Sequence, residues 1–368
     1  MKSILIHKLS IYIIPFFLGV FTSFSLPPYN FLIINFITFP FLLFFLIDNF
    51  KKSKWISFKI GWLFGFGYFV SNLYWITNAL TFEEIFKPLI PFALILIPLF
   101  LGIFYGFGTL ICSFFNLEKN FSTVLIFATI FSLIEFIRGF VLGGFPWNMI
   151  VYSWTDYLNH IQILSLVGTY SFNLISITIF LLPFLIFFKK EIKLKVFTVL
   201  LLLFMLICNG FYGYIKIKND EKLYTELKDF KIKIVSPKIS INRFFQPNNE
   251  SAIIEELIEL SNPNILHNTI FVFPEGALAG VNLDKLQSFK ELFLKEYSEK
   301  HKIIMGINIE KKIENSHKIY NSMVVLDNKL NLISEYNKIK LVPFGEFLPF
   351  ENFFKKFGLK KIGYGYQS

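Results

Sequence analysis

Up to about Tyr214 the chain is a succession of long apolar runs broken by short polar connections; beyond about Lys231 the apolar runs shorten and alternate with charged and Asn positions. Seven runs, near 9–26, 29–48, 58–78, 89–115, 121–141, 162–188 and 194–214, reach the roughly 20 residues that a bilayer core demands. Pro27-Pro28-Tyr29-Asn30 reads as a tight turn between the first two, so the first run is predicted to be a span and not a cleaved leader. In the last third, short β-type runs at 231–235, 269–273, 302–306, 320–326 and 332–336 predict strands. Ile253, Ile254, Leu257, Ile258 and Leu260 share one face of a predicted helix over 251–260, and a second helix is predicted over 283–297. The pattern therefore predicts a multi-pass α-helical membrane bundle of about seven helices over 1–214, a connector over 215–230, and a layered α/β or α+β domain over 231–368.

Charge gives the bundle a direction. Roughly a third of the Lys and Arg precede Tyr214, in short clusters. Lys2 and Lys8 precede the first run; Lys51, Lys52, Lys54 and Lys59 separate the second from the third; Lys119 lies between the fourth and fifth; Lys189, Lys190, Lys193 and Lys195 lie between the sixth and seventh. The alternate connections hold only Lys87 and Arg138 beside Glu83, Glu84 and Asp156. Basic connections stay in the cytoplasm, so the N-terminus is predicted inside and everything after an odd number of spans outside, in the periplasm of a bacterium with two membranes. The formal net charge of +10 is not gathered into a basic stripe, which argues against a nucleic-acid partner and leaves anionic membrane lipids as partners for the Lys clusters. Cys112 and Cys208 both lie in apolar runs, which excludes a disulfide framework and leaves neither in the polar setting of a reactive thiolate.

Three segments carry candidate chemistry. Glu135-Phe-Ile-Arg138, followed by Gly143-Gly144-Phe145-Pro146-Trp147-Asn148, sets a possible ion pair beside Gly, Pro and Trp at a membrane boundary; an ionisable pair at that depth is a functional candidate. Phe271-Val-Phe-Pro274-Glu275-Gly276 puts one carboxylate at the C-terminal edge of a predicted buried strand, where desolvation would raise its pKa toward that of a general base. Tyr336-Asn-Lys338-Ile-Lys-Leu-Val-Pro-Phe-Gly-Glu346 brings a Lys off a strand toward a second carboxylate, an arrangement that can hold a cation against a developing oxyanion.

In this order, behind a bundle of spans, the segments resemble the apolipoprotein N-acyltransferases, membrane-embedded members of the nitrilase (carbon–nitrogen hydrolase) superfamily. The resemblance also includes Tyr320-Asn321-Ser322 in a predicted strand and runs along essentially the whole chain. It implies a nitrilase-like αββα sandwich with a Glu–Lys–Cys triad, with Glu275 as general base, Lys338 as oxyanion stabiliser and Glu346 as a supporting carboxylate. It further implies ping-pong transfer of a fatty acyl chain from a phospholipid, typically phosphatidylethanolamine, through a thioester to the α-amino group of diacylglyceryl-cysteine in an apolipoprotein. No cofactor and no metal are implied. Phe244, Phe245, Trp147 and Arg138 are the substrate-binding candidates.

The chain departs from that pattern in lacking a Cys after Lys338 and a final return span, and its first domain strand reads Ile234-Val-Ser-Pro-Lys-Ile239 where the family has Val-Gln followed by Pro or Gly. On this reading the domain is incomplete at its C-terminus, the 368 residues are part of a longer product, and the chain as it stands is expected to be inactive. The alternative is a non-catalytic membrane protein that binds lipid or lipoprotein through a decayed nitrilase-like domain. A transporter is a third reading, weakened because no Gly/Pro-interrupted spans recur in matching halves.

Overall fold

The computed structural model describes residues 2–81, 84–188, 191–223, 230–238, 250–278, 280–313, 316–342 and 346–347. The chain divides into two compact units, Met1–Thr225 and Glu226–Ser368.

All seven apolar runs of the first unit fold as helix: α1 (Lys2–Ser23), α2 (Asn35–Asn49), α3 (Lys54–Asn72), α4 (Ile90–Cys112), α5 (Phe121–Arg138), the sequence α6 (Leu158–Ile161), α7 (Leu164–Leu181) and α8 (Pro183–Phe188), and α9 (Ile192–Leu223). Side-chain caps start two of them where the polarity changes: Ser53 accepts from the Trp55 N–H ahead of α3, and Asn120 from the Thr123 N–H ahead of α5. Among the described residues, five helical segments are long and apolar enough to cross a membrane: Leu32–Asn49, Glu84–Cys112, Phe121–Arg138, Leu164–Phe188 and Ile192–Asp220. The Ile11–Ser23 part of α1 is apolar but shorter. Segment α3 falls outside that set and carries Lys54 and Lys59 in its first two turns.

Aromatic side chains fill the centre of this unit. Phe39 of α2, Phe64 of α3, Tyr105 of α4 and Phe131 of α5 are fully buried, and the Tyr105 and Phe131 ring centroids are 4.4 Å apart. Phe39 and Phe64 both meet Phe131 edge-on, so four helices converge on one ring. Such pairs each contribute about 0.5–1.5 kcal/mol beyond the area they bury.

The second unit is built on a five-stranded mixed sheet in the order β1 (Lys231–Ile234), β2 (Thr269–Val272), β3 (His301–Ile313), β4 (Ser316–Leu326), β5 (Leu332–Asn337). β1, β2 and β3 run parallel, and the β3–β4 and β4–β5 pairs are antiparallel. Parallel neighbours require long crossovers. Helix α10 (Glu250–Ser261) lies in the first; α11 (Leu283–Leu286) and α12 (Lys290–Glu296) lie in the second. The predicted 283–297 helix is thus broken at residues 287–289 by a tighter turn. Ile253, Ile254 and Leu257 of α10 and Phe293 of α12 share a core with Phe271, Ile303, Met305 and Val324, the alternate residues of the strands.

This is one α layer and one β layer of the nitrilase-like αββα architecture. The β3–β4 hairpin is longer than its apolar runs predicted, pairing as far as Ile313 with Ser316. Ile307 and Ile309 carry the alternation of Ile303 and Met305 further into the core, and beyond them the backbone ladder holds the polar Glu310, Lys311 and Lys312 in the strand.

Candidate active site

Strand β2 is buried and apolar, and the chain leaves it through Phe273-Pro274 into a turn that presents Glu275 at the strand's C-terminal end. Two glycines make this possible. Gly276 adopts φ +74°, a left-handed conformation that glycine enters without strain. Gly306 of β3 lies against the turn so closely that a β-carbon there would meet the Glu275 Cα at 2.8 Å.

Lys338 arrives from the other side. The irregular register at Val325/Leu326 lets Ser322 pair with Asn337, and their side chains join at 2.6 Å. The next residue's N–H, that of Lys338, donates to the Asn321 carbonyl at 2.8 Å. Lys338 Nζ then lies 2.8 Å from Glu346 Oε1 and 3.6 Å from Glu275 Oε1. Glu346 is held by its own turn as well, since its Oε2 accepts from the Val342 N–H at 2.7 Å and its N–H donates to the Val342 carbonyl at 2.8 Å. Asn321 completes the cluster, donating from Nδ2 to Glu275 Oε1 and to Glu346 Oε1.

The two carboxylates differ in setting. The Glu346 side chain is 11% exposed and the Glu275 side chain 65%. The desolvated carboxylate foreseen for Glu275 is therefore found at Glu346. Burial opposes the charge on Glu346, yet hydrogen bonds from Lys338, the Val342 N–H and Asn321, with the Lys338 charge, outweigh it and hold the carboxyl below its ordinary value of 4.5. Burial likewise opposes the charge on Lys338, and the two carboxylates overcome it, raising the ammonium above its ordinary 10.5. Lys338 is thus a fixed cation, with Glu346 as its anchor and Glu275 as the accessible carboxylate beside it.

Of the other predicted site residues, Arg138 and Trp147 belong to the first unit, whereas Phe244 and Phe245 lie outside the described residues. Arg138 is buried at the end of α5. Its Nη1 donates to the carbonyls of Phe145 at 2.6 Å and Trp147 at 2.9 Å, and Nη2 to Glu135 Oε1 at 3.4 Å. Glu135, also buried, accepts from Tyr105 Oη and Asn173 Nδ2, both at 2.6 Å, and the Asn173 carbonyl oxygen takes the Val151 N–H. The guanidinium thereby grips the connection that carries Trp147, whose side chain remains half-exposed. Tyr105 and Asn173 were missed from the sequence, although a polar side chain inside an apolar run is itself the signal that finds them.

The two cysteines lie in α4 and α9 of the first unit, Cys112 buried and Cys208 exposed. Among the described residues no group of three or more His, Cys, Asp or Glu could hold a metal ion. A cleft of about 480 Å³ between α10 and α12, lined by Glu255, Ile258, Glu259, Leu292 and Lys295, shares no residue with the cluster.

A Glu on a turn after a parallel strand, a Lys fixed beside it and a second Glu behind the Lys thus lie in a mixed-sheet domain, carried on a chain with a helical membrane region. Residues 249–366 match the carbon-nitrogen hydrolase family, and residues 18–182 match the apolipoprotein N-acyltransferase N-terminal domain. The apolipoprotein N-acyltransferase of Rickettsia typhi is 30% identical over 361 residues, covering 96% of this chain and 69% of that protein. That of Rickettsia prowazekii is 32% identical over 83% of this chain and 61% of its own length, and that of Brucella melitensis 28% identical over 94% and 67%. The chain belongs to the apolipoprotein N-acyltransferase family and spans about two thirds of the length of these relatives.

Proposed function

We propose that this protein transfers a fatty acyl chain from a phospholipid to the α-amino group of diacylglyceryl-cysteine at the N-terminus of apolipoproteins. The observation that carries the reading is the Glu275–Lys338–Glu346 cluster in a carbon–nitrogen hydrolase domain behind membrane helices. The relatives' name supplies the lipoprotein acceptor; phosphatidylethanolamine is the donor we assign, because it is the donor the family resemblance implies.

In the reaction so assigned, a thiol attacks the phospholipid ester, its proton passing to Glu275, and the carbonyl oxygen becomes an oxyanion. Lys338 stabilises that oxyanion without taking part in proton exchange, because its ammonium is held charged by Glu346. Collapse forms the thioester and expels the lysophospholipid alkoxide, which takes the proton back from Glu275. In the second half the α-amino group attacks the thioester, Glu275 accepts the ammonium proton of the adduct, and the amide forms as the thiolate leaves and is reprotonated. We assign the thiol to neither Cys112 nor Cys208, because both lie in apolar helices without the polar setting of a reactive thiolate.

The Lys-rich connections support a bundle of seven spans with a cytoplasmic N-terminus and a periplasmic second unit. Both substrates are lipid-anchored, so a site tethered to the membrane meets them in two dimensions. Trp147, half-exposed on the connection that Arg138 holds, is assigned to the binding of lipid; Phe244 and Phe245 keep the same assignment from the family resemblance.

Expression of the full-length gene in a strain depleted of its own acyltransferase tests the reading. Growth should be restored and mass spectrometry should find a third acyl chain on lipoprotein N-termini. Undiminished rescue by Glu275→Gln would remove the general-base assignment, and a functional protein that leaves lipoproteins diacylated would favour a non-catalytic lipid- or lipoprotein-binding role.

A further inference from the structure

Asn321 touches all three members of the cluster. Its carbonyl takes the Lys338 N–H at 2.8 Å, and its Nδ2 donates to Glu275 and, at 3.2 Å, to Glu346. The sheet does not need the side chain for this. The end of the β4–β5 pair is closed by the Ser322–Asn337 side-chain bond and by backbone bonds. A primary amide nitrogen carries two hydrogens, and here each is committed to a different carboxylate. Two carboxylates and one ammonium leave the cluster with a net charge of −1, so Coulomb repulsion between Glu275 and Glu346 is offset by Lys338 together with this single neutral donor. The two oxygens that share Lys338 are the two that share Asn321.

We infer that Asn321 is a positioning residue for the reaction proposed above: it holds Glu275 and Glu346 apart at a fixed spacing while both are ionised, so that Lys338 faces the reacting carbonyl and Glu275 stays ready to accept a proton. The inference rests on the acyltransferase reading for the identity of the reaction, but not for the electrostatics. Among the described residues the charged side chains facing Glu275 are Lys338 and Glu346, both beyond β5; β3 presents Gly306 to it and β4 presents Asn321. No other neutral side chain among the described residues donates to the pair.

The informative variant is Asn321→Asp, which keeps the shape of the side chain while replacing the donor nitrogen by an acceptor. A third carboxylate would disfavour ionisation of Glu275, whose own acid limb should move to higher pH. In the full-length protein in detergent micelles, acyl transfer to a diacylated lipopeptide should fall about 100-fold at pH 7 in Asn321→Asp, and its acid limb should shift up by about one pH unit. Asn321→Ala should fall about 10-fold with a smaller upward shift, since it removes the hydrogen bonds without adding a charge. A uniform loss of rate with an unmoved acid limb in both variants, at wild-type thermal stability, would reduce Asn321 to a structural residue and overturn the inference.

A second readout does not use activity. Infrared or NMR titration of isotopically labelled glutamate carboxyls in the same protein should show Glu275 titrating at higher pH in Asn321→Asp than in the parent. Unchanged midpoints would overturn the inference whatever the reaction proves to be. The expected upward displacement in Asn321→Asp, in a parent protein that adds no acyl chain to the lipopeptide, would instead remove the acyltransferase reading and leave the inference about Asn321 standing.

Discussion

Glu135 and Arg138 in the helical unit, and Glu346 and Lys338 in the sheet unit, are both acid–base pairs joined to an asparagine amide, yet they are arranged for opposite purposes. In the helical unit both partners are fully buried; Glu135 accepts from Tyr105 and Asn173, and both terminal nitrogens of Arg138 are engaged by backbone carbonyls or by Glu135. Every strong interaction points inward, and the result is a clamp on the 145–151 connection. In the sheet unit the ammonium sits between two carboxylates, one buried and one open, and one negative charge is left over. The first arrangement is closed and electrically neutral. The second keeps an accessible base beside a fixed cation, which is what proton transfer near a developing oxyanion requires. On the proposed reading it is the surplus carboxylate exposed beside the pair, and not the charge pair itself, that sets the sheet-unit cluster apart.

The comparison can be broken most directly at Lys338. Lys338→Met should lower acyl transfer by about 10²–10³-fold, the scale of removing an oxyanion donor, while the thermal midpoint of the purified full-length protein changes little. A loss of folding comparable to the loss of rate would show that the cluster is structural after all. Removing Glu135 should do the reverse. Glu135→Leu leaves Arg138 buried without its carboxylate and should cost about 3–5 kcal/mol of stability, read as a lower thermal midpoint in detergent. The double substitution with Arg138→Met should recover part of that loss, because no unpaired charge remains.

Tyr105→Phe removes one hydrogen bond to an ionised group and should cost about 1.5–3 kcal/mol, with Asn173 and Arg138 still holding Glu135. At the small end, Lys285→Ala should change stability by less than about 1 kcal/mol, because its pair with Glu250 is a surface ion pair.

The pH dependence sharpens the contrast within the sheet unit. The carboxyl of Glu346 is lowered in the folded state, so its contribution is present above the ordinary 4.5 and lost as pH falls through the lower folded value. The ammonium of Lys338 is raised, so its contribution is present below 10.5 and lost as pH rises through the higher folded value. The cluster should keep its charges between those limits. Thermal midpoints of the parent should fall more steeply below pH 4.5 than those of Glu346→Gln; parallel curves would contradict the assigned direction for Glu346.

Much of this was legible in the linear order of residues. The positions of the five helices long and apolar enough to cross a membrane, among the described residues, follow from run length, because a bilayer-sized apolar segment has few alternatives to helix. The faces of α10 and the strands follow from the 3.6- and 2-residue periods of Ile253, Ile254 and Leu257 and of Phe271 and Phe273. Glu275, Lys338 and Glu346 were identifiable as candidates from their Pro- and Gly-rich surroundings. Which of the two carboxylates lies buried and which stays open was not. Which carboxylate is buried depends on Glu346 meeting the Val342 N–H and carbonyl, and whether Asn321 can reach both depends on a one-residue register irregularity at Val325/Leu326.

Long-range register and burial depend on neighbours that are distant in the chain, so local pattern does not encode them. The same holds for Arg138. Sequence alone determined that a cation sits at the end of the fifth apolar run; only the tertiary structure decided that Tyr105 and Asn173, on two other helices, hold its carboxylate partner Glu135, and that two backbone carbonyls occupy its guanidinium.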